Sequence, residues 1–534
     1  MMASFRKLCR QSFMFTFVLA ALASLSACQQ ETSEPAATAP ASAPAPGAPD
    51  SWLIINVIVL DGTGAAGVPG SVRVSGNTIT EVGQLEALPG ETVVDGGGQV
   101  LAPGFIDTHS HVASDLADFP EALPAVSQGI TTIIAGQDGD SHFPLTEFQE
   151  QFAAHPAALN VASYAGHNTL RNEVMGDDFR RVATAAEVER MQTLLLQEMD
   201  SGALGLATGL EYDPGIYSDP SELLQLAKVA AERGGRYISH IRSEDRYFEK
   251  ALLEIIEIGR VTGMPVQISH FKLAMKRLWG KSHEVLAQLD AARAEGIDIT
   301  ADIYPYEYWQ SNLMVLLPGR DVNDRAELEL AVNEIAPAEG FWLTQFDPEP
   351  EYVGKTLAEI SVLRNTDPAT ALFQLINESE AMKAETGKQA DAMIGTSMVE
   401  PDILALLNWP HTNVCTDGGL VDLHPRARGT YPRILGRYVR ELHALSLEEA
   451  VHKMSGLAAE HMGFTDRGLI RPGMKADLVL FDPATVIDHA TPQDSQALST
   501  GISQVWVNGV TVFSDGAVSG NLPGIFIRRE KAKS

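Results

Sequence analysis

The feature that most constrains this chain is an alternation sustained from about residue 104 to 465, where short apolar runs take turns with amphipathic stretches of helical spacing. Ile130–Ile134, Ala203–Thr208, Arg236–His240, Pro265–His270 and Ile297–Asp302 read as strands, with Glu222–Arg233, Glu244–Thr262 and His283–Glu295 as helices between them. A strand covered on both faces loses its polar alternation, so near-continuous apolar runs separated by helices mark a parallel sheet inside a helical shell. The pattern predicts an α/β fold, a (β/α)8 TIM barrel. From about 309 to 390 the rhythm breaks into extra helices and loops, read as an insertion over the barrel mouth.

The flanks have a different texture. Trp52–Leu60, Ser71–Val74 and Thr78–Val82 on one side, and Asp477–Phe481, Gln504–Asn508 and Val510–Phe513 on the other, are short strand-like runs joined by glycine turns. A few strands with one apolar face do not make a stable sheet domain alone. The two sets are therefore expected to form one small β-sandwich from both termini, residues 51–103 with 466–530.

Before residue 51 the chain reads as an address and a spacer. Arg6, Lys7 and Arg10 precede the apolar stretch Phe13–Leu25, too short to span a bilayer as a helix but suited to a signal peptide over residues 1–27. Leu25-Ser26-Ala27-Cys28 resembles the lipobox of bacterial lipoproteins, which implies lipidation of Cys28 at the start of the mature chain. Gln29 and Gln30 follow instead of the aspartate that retains such proteins at the inner membrane, so the expectation is an outer-membrane anchor facing the periplasm. The Ala/Pro-rich residues up to 50 read as a tether. Cys415 is then the one free thiol, and no internal disulfide is expected. A formal net charge of −30 repels phosphate backbones and excludes nucleic acid as a partner. Membrane contact is expected through the lipid anchor only.

Chemistry begins at Pro103-Gly-Phe-Ile-Asp-Thr-His109-Ser-His111. Side chains alternate along an extended chain, so His-x-His puts two imidazoles on one side, where they can grip a metal ion. His240 and His270 each end an expected strand, and Asp417 follows the run Thr412–Thr416. In a TIM barrel the reacting groups come from the C-terminal ends of several different strands. Four histidines and an aspartate at such ends form a candidate metal centre.

Those motifs, with Gly166-His-Asn-Thr-Leu-Arg171, Ser239-His-Ile-Arg-Ser-Glu244, Ile268-Ser-His-Phe-Lys272, Tyr304-Pro-Tyr306, His424-Pro-Arg426 and Gly468–Asp477, resemble the metal-dependent amidohydrolase superfamily, and within it the N-acyl-D-amino-acid deacylases. The resemblance runs from about Trp52 to Arg529. It implies one or two zinc ions, with His109, His111 and Asp417 on one and His240 and His270 on the other. It further implies that Asp417 takes a proton from the attacking water and passes it to the leaving amine. Family members carry a cysteine ligand after the second strand, where this chain has Gln137-Asp138-Gly139. Asp138 or Glu211 is expected to supply the missing bridging anion, with neither preferred. Lys272, Arg426 and either Tyr304 or Tyr306 are expected to hold the substrate α-carboxylate, with Arg428 competing for the arginine role. His167 and Arg171 are further candidates for the pocket wall. The expected substrate is a small-molecule N-acyl amino acid. The alternatives are a dipeptidase or cyclic-amide hydrolase of the same superfamily, and a metal- or solute-binding lipoprotein without turnover.

Overall fold

A computed structural model describes residues 51–530; Cys28, the signal-like segment and the tether lie outside the described residues. Eight parallel strands form the barrel: β1 Phe105–Asp107, β2 Ile130–Ala135, β3 Asn160–Ser163, β4 Gly205–Gly209, β5 Arg236–His240, β6 Val266–Ile268, β7 Ile299–Ile303 and β8 Thr412–Val414. β1, β2 and β3 pair in order, and β4 to β8 pair in order. Beyond Tyr164 the third strand resumes as Ala165–Gly166, which pairs with β4. The ring shuts between β8 and β1, where Asp417 N–H donates to His109 O at 2.8 Å and His111 N–H to Gly418 O at 3.0 Å. Every residue of β2 is buried, as the continuous apolar run requires.

The outer helices bury one stripe each. Pro220–Glu232 starts with proline in its first turn behind the cap Asp219, and turns Leu223, Leu226, Ala227 and Ala230 inward at helical spacing. Phe248–Thr262 buries Leu252, Ile255, Ile256 and Gly259 and stops at Gly263, whose φ of +68° suits glycine. It begins four residues later than its sequence pattern suggests, because Glu244 belongs to the site. No helix among the described residues is long and apolar enough to cross a membrane.

Both flanks join in one small β domain, as expected, and its nine strands form a single hydrogen-bonded sheet. Val100–Pro103 pairs antiparallel with Leu478–Phe481, which fuses the two ends of the chain. Trp52 and Trp506 stack with ring centroids 5.4 Å apart, although two strands separate theirs in the sheet order. The sheet therefore curls over its own apolar face, around Ile54, Val72, Val74, Leu478 and Leu480. The insertion is framed by the antiparallel strands Tyr308–Ser311, Asp391–Thr396 and Phe341–Phe346, slightly wider than expected.

Candidate metal centre

The candidate ligands gather at the C-terminal ends of the barrel strands. His109 and His111 follow β1, Asp138 follows β2, His240 closes β5, His270 follows β6 and Asp417 follows β8. Asp138, His270 and Asp417 all adopt the left-handed backbone, at φ of +53°, +34° and +51°. Such a conformation is unfavourable for a histidine unless its surroundings enforce it. At His270 the enforcement is visible: Asp302, on β7, accepts the His270 backbone N–H at 2.5 Å.

Asp138 lies among three imidazoles, with 3.4 Å to His109 Nε2, 3.4 Å to His111 Nε2 and 3.3 Å to His270 Nε2. Asp417 Oδ1 lies 3.2 Å from His111 Nε2 and 3.5 Å from His109 Nε2. His240 Nδ1 is 3.1 Å from His270 Nε2. Ligand atoms ~2.1 Å from a tetrahedral zinc stand ~3.4 Å apart, so these separations are those of a coordination shell. His109 adds a second test. It is fully buried, and neither ring nitrogen has a hydrogen-bond partner. A buried imidazole without partners is costly, and a metal ion removes that cost. The donor set fits a divalent cation of the zinc type, and among the described residues two groups meet, His109–Asp138–His270–Asp417 and His240–Glu244–His270.

Electrostatics agree. Burial alone would push the Asp138 carboxyl up, but the surrounding imidazoles overcome it and hold it well below the usual carboxylate range. Asp417 is also buried, yet Arg426 and the imidazoles keep it ionised. Arg426 Nη1 donates to Asp417 Oδ2, which leaves Oδ1 facing the histidines.

The structure separates residues that the sequence left as alternatives. Glu211 does not stand between the histidine pairs. Its Oε2 is 3.0 Å from His240 Nε2, on the ring edge opposite His270, and its Oε1 accepts the Glu244 backbone N–H at 2.9 Å. It orients His240 from behind, while Asp138 holds the central position. Tyr304 lines the cavity with Lys272, Arg426 and Asp417. Its buried hydroxyl has no partner, and its ring lies 4.8 Å from the Arg426 guanidinium and 5.7 Å from the Lys272 ammonium. Tyr306 is corrected out of the clamp: its hydroxyl donates to Pro425 O at 3.5 Å and its ring packs on Arg433. The Tyr306 N–H closes onto Tyr304 O at 3.1 Å around Pro305, and this tight turn cancels the alternation that would align the two tyrosines.

Arg428 also leaves the clamp. It sits two positions beyond Arg426 on the helix Arg426–Arg433, hence on another face, and donates to Leu420 O and Asp422 O. His167 and Arg171 are fully buried around Glu222, at 2.8 Å and 2.6 Å, and tie helices together away from the cavity. Glu244, the last residue of the Ser239–Glu244 motif, has a role that its place in the sequence does not reveal. Its carboxylate receives Lys272 Nζ at 2.7 Å on both oxygens and lies 3.0 Å from His270 Nδ1. It therefore steadies a clamp cation and a candidate ligand together.

The sequence model of the amidohydrolase family matches residues 92–339 and 353–513. An N-acyl-D-glutamate deacylase of Alcaligenes xylosoxydans xylosoxydans is 35% identical over 496 residues, covering 88% of this chain and 95% of its own. A D-aminoacylase of the same organism is 34% identical over 512 residues, covering 91% and 99%. Among solved structures, the N-acyl-D-glutamate deacylase of Bordetella bronchiseptica, complexed with zinc and a phosphonate mimic of the tetrahedral intermediate, superposes with a TM-score of 0.80 at 34% identity, over 90% of this chain and 100% of that one. The chain belongs to the amidohydrolase family, in its D-aminoacylase branch.

Proposed function

We propose that this protein is a zinc-dependent hydrolase that cleaves the linear amide of N-acyl-D-amino acids, releasing a D-amino acid and a carboxylate. One observation carries the reading: Lys272, Tyr304 and Arg426 converge on the same cavity as Asp417, His240 and His270. A carboxylate clamp beside a metal nest fits a substrate whose amide nitrogen is attached to a carbon bearing a free carboxylate. When bound, zinc supplies a Lewis acid that acidifies water and polarises the amide carbonyl. His109, His111, Asp138 and Asp417 would hold one ion, and His240 and His270, with Asp138 between the pairs, a second.

The remaining chemistry belongs to the chain. Asp417 Oδ1 takes the proton of the attacking water as its oxygen bonds to the carbonyl carbon. The same oxygen returns the proton to the amide nitrogen as the C–N bond breaks, so the amine leaves neutral. Arg426 on Oδ2 keeps the carboxylate oriented through both transfers. Zinc-loaded protein is expected to convert N-acetyl-D-amino acids to free amino acid and acetate, with little turnover of the L-enantiomers. Preferential cleavage of dipeptides or cyclic amides in the same panel would replace this reading.

The signal-like stretch and Cys28 support a lipid-anchored location in the cell envelope, facing the periplasm from the outer membrane. Labelled palmitate is expected in the wild-type chain and absent from Cys28→Ser, which should fractionate as soluble. Equal labelling of the two removes the anchor.

A further inference from the structure

We propose that Gln310 accepts the N–H of the scissile amide, and that this contact is how the enzyme tells an amide from the matching oxygen ester. The inference rests on the deacylase reading and adds a residue to it. A bound N-acyl amino acid presents oxygens at its carbonyl and its carboxylate, which the metal nest and the clamp receive. Apart from its side chain it has one donor, the amide N–H. A donor carried out of water into a cavity is costly unless an acceptor meets it there.

The cavity leaves one side chain for that task. Among the described residues that line it, three side-chain polar atoms are buried without a partner: Tyr304 Oη, Arg426 Nε and Gln310 Oε1. Arg426 Nε can only donate, and the tyrosine hydroxyl stands with it in the clamp. Gln310 Oε1 can only accept. The acids of the same wall are already engaged. Glu244 receives Lys272 on both oxygens, and Glu211 holds His240 and the Glu244 backbone N–H. Asp245 accepts from the Ser243 hydroxyl and the Arg246 guanidinium. Asp417 accepts from Arg426 on one oxygen and keeps the other for proton transfer.

Gln310 is also held firmly. It sits on the strand Tyr308–Ser311, opposite Ile394 in an antiparallel ladder. Its neighbour Trp309 donates from the indole to the Ser397 hydroxyl, and Trp279, beyond β6, donates to the Ser397 carbonyl at 2.8 Å. The strand is thereby tied to the barrel. As the scissile nitrogen becomes tetrahedral, its lone pair has to face Asp417 Oδ1 to take the proton that releases it. An acceptor on the N–H fixes the orientation of that nitrogen, so the contact bears on kcat as well as KM.

The test compares N-acetyl-D-leucine with the acetyl ester of D-leucic acid, which keeps the carboxylate and the acyl group but has no N–H. In Gln310→Met, which keeps the chain length and loses the acceptor, kcat/KM for the amide is expected to fall roughly ten- to a hundredfold, the cost of a buried donor left unpaired. The ester is expected to keep its wild-type kcat/KM, or its Ki if it binds without turnover. That value also reports a folded, zinc-containing variant in the same preparation. Gln310→Ala, which leaves space instead of a packed chain, should shift the amide-to-ester ratio the same way and decides alone if Gln310→Met does not fold. Equal losses on both substrates, or an unchanged ratio, overturn the inference and leave the deacylase reading standing. An ester that neither wild type nor variant binds places the discrimination elsewhere and overturns it too. A wild-type protein that cleaves no N-acetyl-D-amino acid overturns both readings.

Discussion

Asp417→Asn is expected to lower kcat by about 10²–10⁴-fold, the usual contribution of a positioned acid–base group, while leaving most of the zinc in place. The amide keeps the shape and one donor oxygen near His109 and His111 but cannot take a proton. Arg426, which now donates to Oδ2, would face a neutral group and lose a charge-assisted hydrogen bond. KM should therefore change less than kcat. Steady-state kinetics on N-acetyl-D-leucine with zinc measured per chain separate the two effects. Near-normal kcat in a zinc-replete variant would remove Asp417 from proton transfer.

The second large effect is expected at Asp138. Its carboxylate touches three imidazoles within 3.4 Å, and no other acid among the described residues occupies that central position. Asp138→Ala should lose zinc and, with it, turnover, because three neutral imidazoles would share a dication with one carboxylate fewer. Glu211→Ala should behave differently. Glu211 acts on His240 from the far edge of the ring, and removing such an orienting partner typically weakens metal binding about 10–100-fold. Zinc retained after dialysis against a chelator ranks the variants: wild type first, Glu211→Ala next, Asp138→Ala last. The reverse order of the two variants would make Glu211 the ligand.

Much of this site was legible in the sequence because metal chemistry needs particular side chains at strand ends. His109, His111, His240, His270 and Asp417 could be placed by finding the apolar run that precedes each. Local geometry beyond the last strand residue was not legible. Tyr304 and Tyr306 share one face of an ideal strand, but Pro305 turns the chain and sends the second hydroxyl to Pro425. Glu244 was hidden for a related reason. It precedes an amphipathic stretch and looked like a helix start, whereas its side chain is drawn to Lys272 and the helix begins at Phe248. The choice between Asp138 and Glu211 needed coordinates, since both follow barrel strands and only distance tells which acid lies between the histidines. The fold was more legible than the site, since the two periodicities extend over long stretches. That the two ends meet in one β domain was legible, but the order in which their strands pair into one curled sheet was not, because local pattern does not encode pairing.

That shared sheet bears on how the molecule comes to be folded. Val100–Pro103 finds its partner in Leu478–Phe481, on the far side of the whole barrel in sequence. Until the second segment emerges, one edge of the first has no partner, and such edges recruit other chains. Long-range pairing of this kind slows folding and exposes intermediates to aggregation. The barrel can assemble in sequence order, but the sheet is the last part to close. A break or deletion near either end would therefore leave the other end as an adhesive strand, and the penalty would appear as lost yield before it appeared as lost catalysis.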